Sequence, residues 1–335
     1  RGLEQRRPTL RSYRKVIQGG IVRLPTSIES LLLKGRSGSR LSMDESRTLL
    51  EQAPLAELGI AAKGASVDRS LIGAEPGGVE RVLLLSLTDR NEPQRLLTHD
   101  ELLAQIERVK ENRIGYLRLV GIPSSAISLE FVEDTLSMLR KSSSLPVEAL
   151  MLSDLNALAR LSGLGILRLS ERLAHAKLRR VVPDLHAIRE SSQAPSRSTV
   201  VSLLTACHLL GLNSVCSLPI SSDWSEFLST LQTIRKIEDE SPGVARCELL
   251  PDSSIKDPLI CLRAIAVSRL FLDNIEDISL PWHSNRPTLS ELALQFGASS
   301  LGAAHYLHLD SMQVPKMEYL ERLDNSWLAL DLPSV

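Results

Sequence analysis

Nine residues stand where short apolar runs give way to polar loops: Asp89, Arg90, Pro123, Ser153, Asp154, Glu171, Asp223, Asp252 and His283. The carboxylates and the imidazole among them can carry or take a proton, and the guanidinium can hold an anion. Most are equally suited to capping a helix that follows. The four cysteines, Cys207, Cys216, Cys247 and Cys261, show neither CxxC nor CxxxCxxC spacing. They read as buried thiols in a reducing compartment rather than as zinc or iron–sulfur ligands. His305 and His308 lack a nearby third ligand. His208, among Ala206, Cys207, Leu209 and Leu210, reads as a satisfied core histidine. No GxGxxG, Walker, GxSxG or HExxH motif occurs. Arg172, Lys177, Arg179 and Arg180 form a basic cluster that reads as a solvated face.

The elements that must position these residues are short apolar runs alternating with amphipathic segments. Strands are expected at Arg81–Leu87, Ile114–Val120, Pro146–Leu152, Gly165–Leu169, Ser214–Leu218, Gly243–Leu250, Ile278–Trp282 and Ser300–His305. Helices are expected between them, with a short one near Ser27–Leu33. Capping boxes at Ser42–Glu45, Thr98–Glu101 and Thr288–Glu291 mark three starts, and Pro54 must kink or split the helix it interrupts. Segment 65–79 reads as a connector and 171–197 as a longer polar connection. Seven or eight parallel βα units fit a full or partial (β/α) barrel, with chemistry at the C-terminal ends of the strands. The expected division is an N-terminal extension over 1–40, a barrel domain with a helical lead-in over 41–310, and a tail over 311–335.

Composition narrows the classes. The chain has 335 residues, 39 Lys and Arg against 40 Asp and Glu, and 3% aromatics. That balance argues against a strongly basic nucleic-acid binder, and so few aromatics make base stacking improbable. Ser198–Ser222 carries no formal charge, but His208, Gly211, Asn213 and Pro219 interrupt it, so a buried helix and strand are expected instead of a membrane span. A soluble, cytoplasmic protein is expected. The chain begins at Arg1, and residues 1–23 hold six Arg, so a processed or truncated start is left open.

Three blocks resemble a known family. Ala264–Ile278 resembles the late-barrel helix of the radical S-adenosylmethionine (SAM) enzymes of futalosine-dependent menaquinone synthesis. These are aminofutalosine synthase and dehypoxanthine futalosine cyclase, with the two halves of FO synthase as relatives. Ala293–Gly302 is similar to the segment that follows, and Leu41–Gly59 to the opening helix. Within the late block, Arg269, Asp273, Asn274 and Trp282 match family positions, and the resemblance implies that Arg269 and Asn274 line a substrate pocket or satisfy helix ends.

The departures are specific. The family carries a CxxxCxxC loop after its first strand; here Arg81–Leu87 is followed by Thr88–Arg95, and no cysteine precedes Cys207. Where the family has Gly-Gly near His-Pro, this chain reads Val120-Gly-Ile-Pro-Ser124. Where the family has a glycine run ending in Ala-Glu, it reads Leu169-Ser-Glu-Arg-Leu-Ala-His175, with His175 in the place of the Glu. Leu250-Pro-Asp-Ser253 only faintly resembles the family's proline-containing substrate loop.

The resemblance with these losses implies no 4Fe–4S cluster, no metal site and doubtful SAM binding. The expectation is a non-catalytic relative, a pseudoenzyme, that binds a paralogous radical SAM partner, a copy of itself or a pathway intermediate. Two alternatives stand beside it. One is an enzyme with different chemistry at the barrel mouth, using Asp89, Arg90, Glu171, His175 and Asp223. The other is a structural or interaction protein with a filled barrel.

Overall fold

The computed structural model describes residues 26–70, 82–88, 95–107, 116–120, 128–183, 197–221, 223–251, 255, 257–280 and 287–300. Among the described residues three helices come first: α1 (Thr26–Arg36), α2 (Met43–Gln52) and α3 (Leu55–Ser70). The expected capping box opens α2, with the Glu45 N–H donating to Ser42 Oγ at 3.2 Å and the Ser42 N–H to Glu45 Oε2 at 2.7 Å. Pro54 splits α2 from α3, and α3 continues through 65–70, where a connector was expected.

Strands and helices then alternate: β1 (Val82–Ser86), α4 (His99–Glu107), β2 (Tyr116–Val120), α5 (Leu129–Ser142) and β3 (Val147–Ala149). Two helices follow, α6 (Leu152–Ser162) and α7 (Ile166–His175), before β4 (Leu178–Val181). The series continues with α8 (Arg197–Leu209), β5 (Asn213–Ile220), α9 (Trp224–Glu240), β6 (Val244–Pro251), α10 (Pro258–Phe271), β7 (Ile278–Ser279) and α11 (Pro287–Gln295).

The seven strands pair in parallel in chain order, and Ser279 bridges in parallel to Ser300. The described residues therefore form an arc of a barrel. One contact shows how far the arc curls. Arg118 on β2 donates to Glu248 on β6 at 3.0 Å. Four strand spacings of a flat sheet amount to roughly 19 Å, beyond the reach of the two side chains. The sheet must close around them, which puts Arg118 and Glu248 inside the barrel.

Residues alternating with these face outward under the helices, among them Leu117, Leu119, Cys216, Leu218, Cys247 and Leu249, all buried. Helix α10 is apolar on almost every side because it lies between the sheet and α1, α2, α3 and α11.

Three expectations need correction. Gly165–Leu169 is not a strand: Gly165 caps α7, which buries Leu169, Ser170 and Leu173 at helical spacing. The fourth strand is Leu178–Val181, inside the stretch expected to be a polar connection, and Arg179 and Arg180 disguised it. Helix α11 begins at Pro287, so Thr288 lies in its first turn instead of capping it. The seventh strand is described as Ile278–Ser279, and of Ser300–His305 only Ser300 lies within the described residues. Among the described residues, no helix is long and apolar enough to cross a membrane.

Candidate functional site

The inner face of the arc carries charges where a strand core is usually apolar. Tyr116-Leu-Arg-Leu-Val120, Val147-Glu-Ala149, Leu178-Arg-Arg-Val181 and Arg246-Cys-Glu248 each place an ionic side chain at an alternate position. Registers align them in two sets, Arg118 opposite Glu148 and Glu148 opposite Arg180 in one, Ser217 opposite Glu248 and Glu248 opposite Ser279 in the other, and the Arg118–Glu248 bond joins the two into one layer. Paired residues of neighbouring strands point the same way, so this layer lies across the lumen.

Arg118 is its hub. Its Nε donates to Glu148 Oε1 at 2.5 Å, and its two Nη atoms form a fork on Glu248, each at 3.0 Å. Glu148 and Glu248 are completely buried. Ser217 Oγ donates to Glu248 Oε2 at 3.4 Å. Arg180 stands 3.8 Å from Glu148 Oε2 and stacks its guanidinium 4.0 Å over the Tyr116 ring. One layer toward the strand starts, Arg246 Nε donates to Asp277 Oδ2 at 2.6 Å, and Ser300 Oγ donates to Asp277 Oδ1 at 2.8 Å.

Burial pushes the Glu148 carboxyl above its ordinary range, with Arg118 opposing. Burial also works against the Arg118 charge, but the charges of Glu248 and then Glu148 outweigh it and raise its pKa. Three guanidiniums (Arg118, Arg180, Arg246) meet three carboxylates (Glu148, Glu248, Asp277) in these two layers, so the set is neutral overall.

The thiols are elsewhere. Cys216 and Cys247 are register partners on the outer, helix-facing side of β5 and β6, while Cys207 is on α8 and Cys261 on α10. All four are free and buried. Burial holds the Cys207 and Cys247 thiols above their ordinary range and pushes Cys216 up to about 12. Among the described residues, no three His, Cys, Asp or Glu side chains gather in a way that could hold a metal ion.

Of the residues expected at the mouth, Asp89, Arg90, Pro123, Asp252, Trp282 and His283 lie outside the described residues. Ser153 is exposed in the first turn of α6, and Asp154 beside it accepts the Met151 N–H at 2.8 Å. Burial raises the Asp154 carboxyl. Asp223 caps α9, accepting from the Ser225 and Glu226 N–H groups at 2.9 and 3.2 Å. These three stand after β3 and β5, at the expected end of the barrel.

The others do not. Glu171 pairs with Arg168 on α7, and His175 is exposed where α7 ends, just ahead of β4. Both were expected after a strand that is in fact this helix. Arg269 and Asn274 lie around the α10–β7 turn, at the strand-start end. Arg269 is fully buried and donates to the carbonyls of Gly297 (2.8 Å), Glu276 (3.0 Å) and Ile275 (3.3 Å) and to Ser299 Oγ. Asn274 Nδ2 donates to Arg235 O and Asp239 Oδ1. Within the basic cluster, Arg172 pairs with Glu133, whereas Arg180 belongs to the lumen.

Sequence reasoning missed Arg118, Glu148, Arg180, Arg246 and Glu248. Their signal was an ionic residue set among apolar neighbours, as in Tyr116-Leu-Arg-Leu-Val120 and Val147-Glu-Ala149, and at alternate positions in Arg246-Cys-Glu248. His208 is the core histidine expected, with Nδ1 donating to Ser241 O at 2.7 Å and Nε2 accepting from Ser214 Oγ at 2.9 Å.

No protein-family model and no curated protein matches the sequence. Solved structures do match the fold. HydG, a maturase of the FeFe-hydrogenase, aligns with a TM-score of 0.66 and 13% identity over 86% of this chain and 69% of its own. The HydG of Carboxydothermus hydrogenoformans gives 0.64 and 14%, over 90% and 78%. Methylornithine synthase (PylB) gives 0.63 and 14%, over 89% and 96%. The fold is thus an α/β barrel of the radical SAM type, and at these identities the likeness speaks for the fold alone.

Proposed function

We propose that the chain is a cofactor-free, non-catalytic relative of the radical SAM enzymes of the futalosine route to menaquinone, and that it acts by binding. What it binds is a paralogous partner protein or a pathway intermediate. The observation that carries this reading is the distribution of sulfur. Every thiol of the chain is buried, and the two on strands face the helices, on the side away from the lumen. A cluster needs three thiolates at one accessible point, so this donor set does not fit one. The pathway assignment is supported by the sequence resemblance of residues 41–305.

A second reading, a barrel that serves as a structural or interaction module, is favoured by Arg118, whose side chain crosses the lumen from β2 to Glu248 on β6.

Anaerobic reconstitution with iron and sulfide, followed by metal analysis and a SAM titration, tests the proposal. Neither a cluster nor SAM is expected to bind. Four irons per chain with SAM bound would overturn it.

A further inference from the structure

We infer that the mouth of this barrel binds a small uncharged molecule with an apolar body and a hydrogen-bond donor, seated on the Arg118 layer with its donor on Glu148. The inference deepens the cofactor-free binding reading and rests on it.

Three observations converge. The first is shape. Val120, Pro219 and Leu250 each follow a floor residue (Arg118, Ser217, Glu248) by two positions and so point into the barrel above it. All three are partly exposed, whereas Glu148 and Glu248 below them are completely buried. An apolar, partly exposed ring therefore stands over buried carboxylates.

The second is unfilled hydrogen-bonding capacity. Glu148 Oε2 and Ser279 Oγ, on residues wholly buried and on the inner face, have no hydrogen-bond partner. A buried polar atom left without a partner costs more than a formed bond returns, so Glu148 Oε2, which has only the Arg180 guanidinium 3.8 Å away, keeps capacity for a donor from a ligand.

The third is charge. The six ionic groups of the floor and the layer beneath it already balance. Among the described residues an added ion would find no unbalanced counter-charge there, which favours a neutral ligand. A carboxamide meets all three conditions. Its N–H suits the carboxylate oxygen of Glu148, and an apolar body suits Val120, Pro219 and Leu250.

Three probes of one ring size separate the terms: benzamide (neutral), benzoate (anion) and protonated benzylamine (cation), titrated calorimetrically into the full chain. Benzamide is expected to bind about tenfold more tightly than either ion, and Glu148→Gln to weaken it about tenfold, because the acceptor becomes a donor. Leu250→Trp narrows the mouth without touching the ionic layer, and is expected to abolish binding with an unchanged melting temperature. No benzamide binding, equal binding of all three probes, or binding that survives both variants overturns the inference. Iron is measured on the same samples. An iron-free protein that ignores benzamide fails this inference alone, whereas a reconstituted cluster fails the reading beneath it.

Discussion

Arg269 and Arg118 are both buried guanidiniums, and their surroundings differ in kind. Arg269 donates to three backbone carbonyls and a serine, all within the turn that joins α10 to β7 and the segment after α11. Its partners are part of the chain's path, so it fastens the strand-start end of the barrel. Arg118 donates to two carboxylates, one on the neighbouring strand and one across the lumen, and one of those carboxylates keeps an oxygen without a donor. A side-chain network of this kind can be rebuilt or bound, whereas backbone carbonyls cannot be substituted away. The family resemblance left Arg269 either as a pocket residue or as one that satisfies helix ends, and its backbone partners fit the second. The geometry makes Arg118 the better candidate and Arg269 a fastener.

Substitution can break the comparison. Arg118→Met strands two buried carboxylates and is expected to cost about 4 kcal/mol in urea unfolding. Replacing Arg118, Arg180, Glu148 and Glu248 together by apolar residues of similar volume, which leaves the Arg246–Asp277 pair, is expected to recover most of that loss, since a buried ionic set is often matched by hydrocarbon. If the quadruple variant is as unstable as the single one, the layer is not a separable module. Arg269→Met leaves several acceptors without donors and is expected to cost about 3 kcal/mol, with no second substitution able to restore it. A rescue by any side-chain change would remove the distinction between the two arginines.

A smaller effect comes from acid. Burial holds the His208 pKa below its ordinary value, with Ser241 O and Glu238 opposing. The unfolded chain then binds a proton more readily than the folded one, so the stability from neutral His208 is present above its unfolded pKa and is lost as pH falls through the folded value. The urea midpoint is expected to drop between pH 7 and pH 5, and His208→Gln to flatten that slope. An unchanged slope in the variant would assign the acid sensitivity to other groups. Gly243 marks how tightly this corner is built, because a Cβ there would stand 2.5 Å from the His208 ring.

Much of the architecture was legible in the sequence because its causes are local. Capping boxes at Ser42 and Thr98 are four-residue hydrogen-bond patterns, and both form. Apolar periodicity over 129–141, 223–238 and 256–272 gave helices within two residues of those found. The fourth strand was lost because the rule that finds strands asks for apolar residues. Arg180 is tolerated there only because Glu148 and Tyr116 flank it from other strands. Glu171 and His175 were then placed at the mouth by counting from the wrong strand.

By itself the sequence determined the βα alternation, the helix starts, the absence of a clustered cysteine motif and the suitability of His208 for the core. Each follows from contacts a few residues long or from residue identity alone. Only the tertiary structure decided which charges meet. Arg118 and Glu248 are 130 residues apart, and no periodicity in either strand names the other. The curl of the sheet brings them within 3.0 Å, and burial turns that meeting into a cross-lumen ion pair.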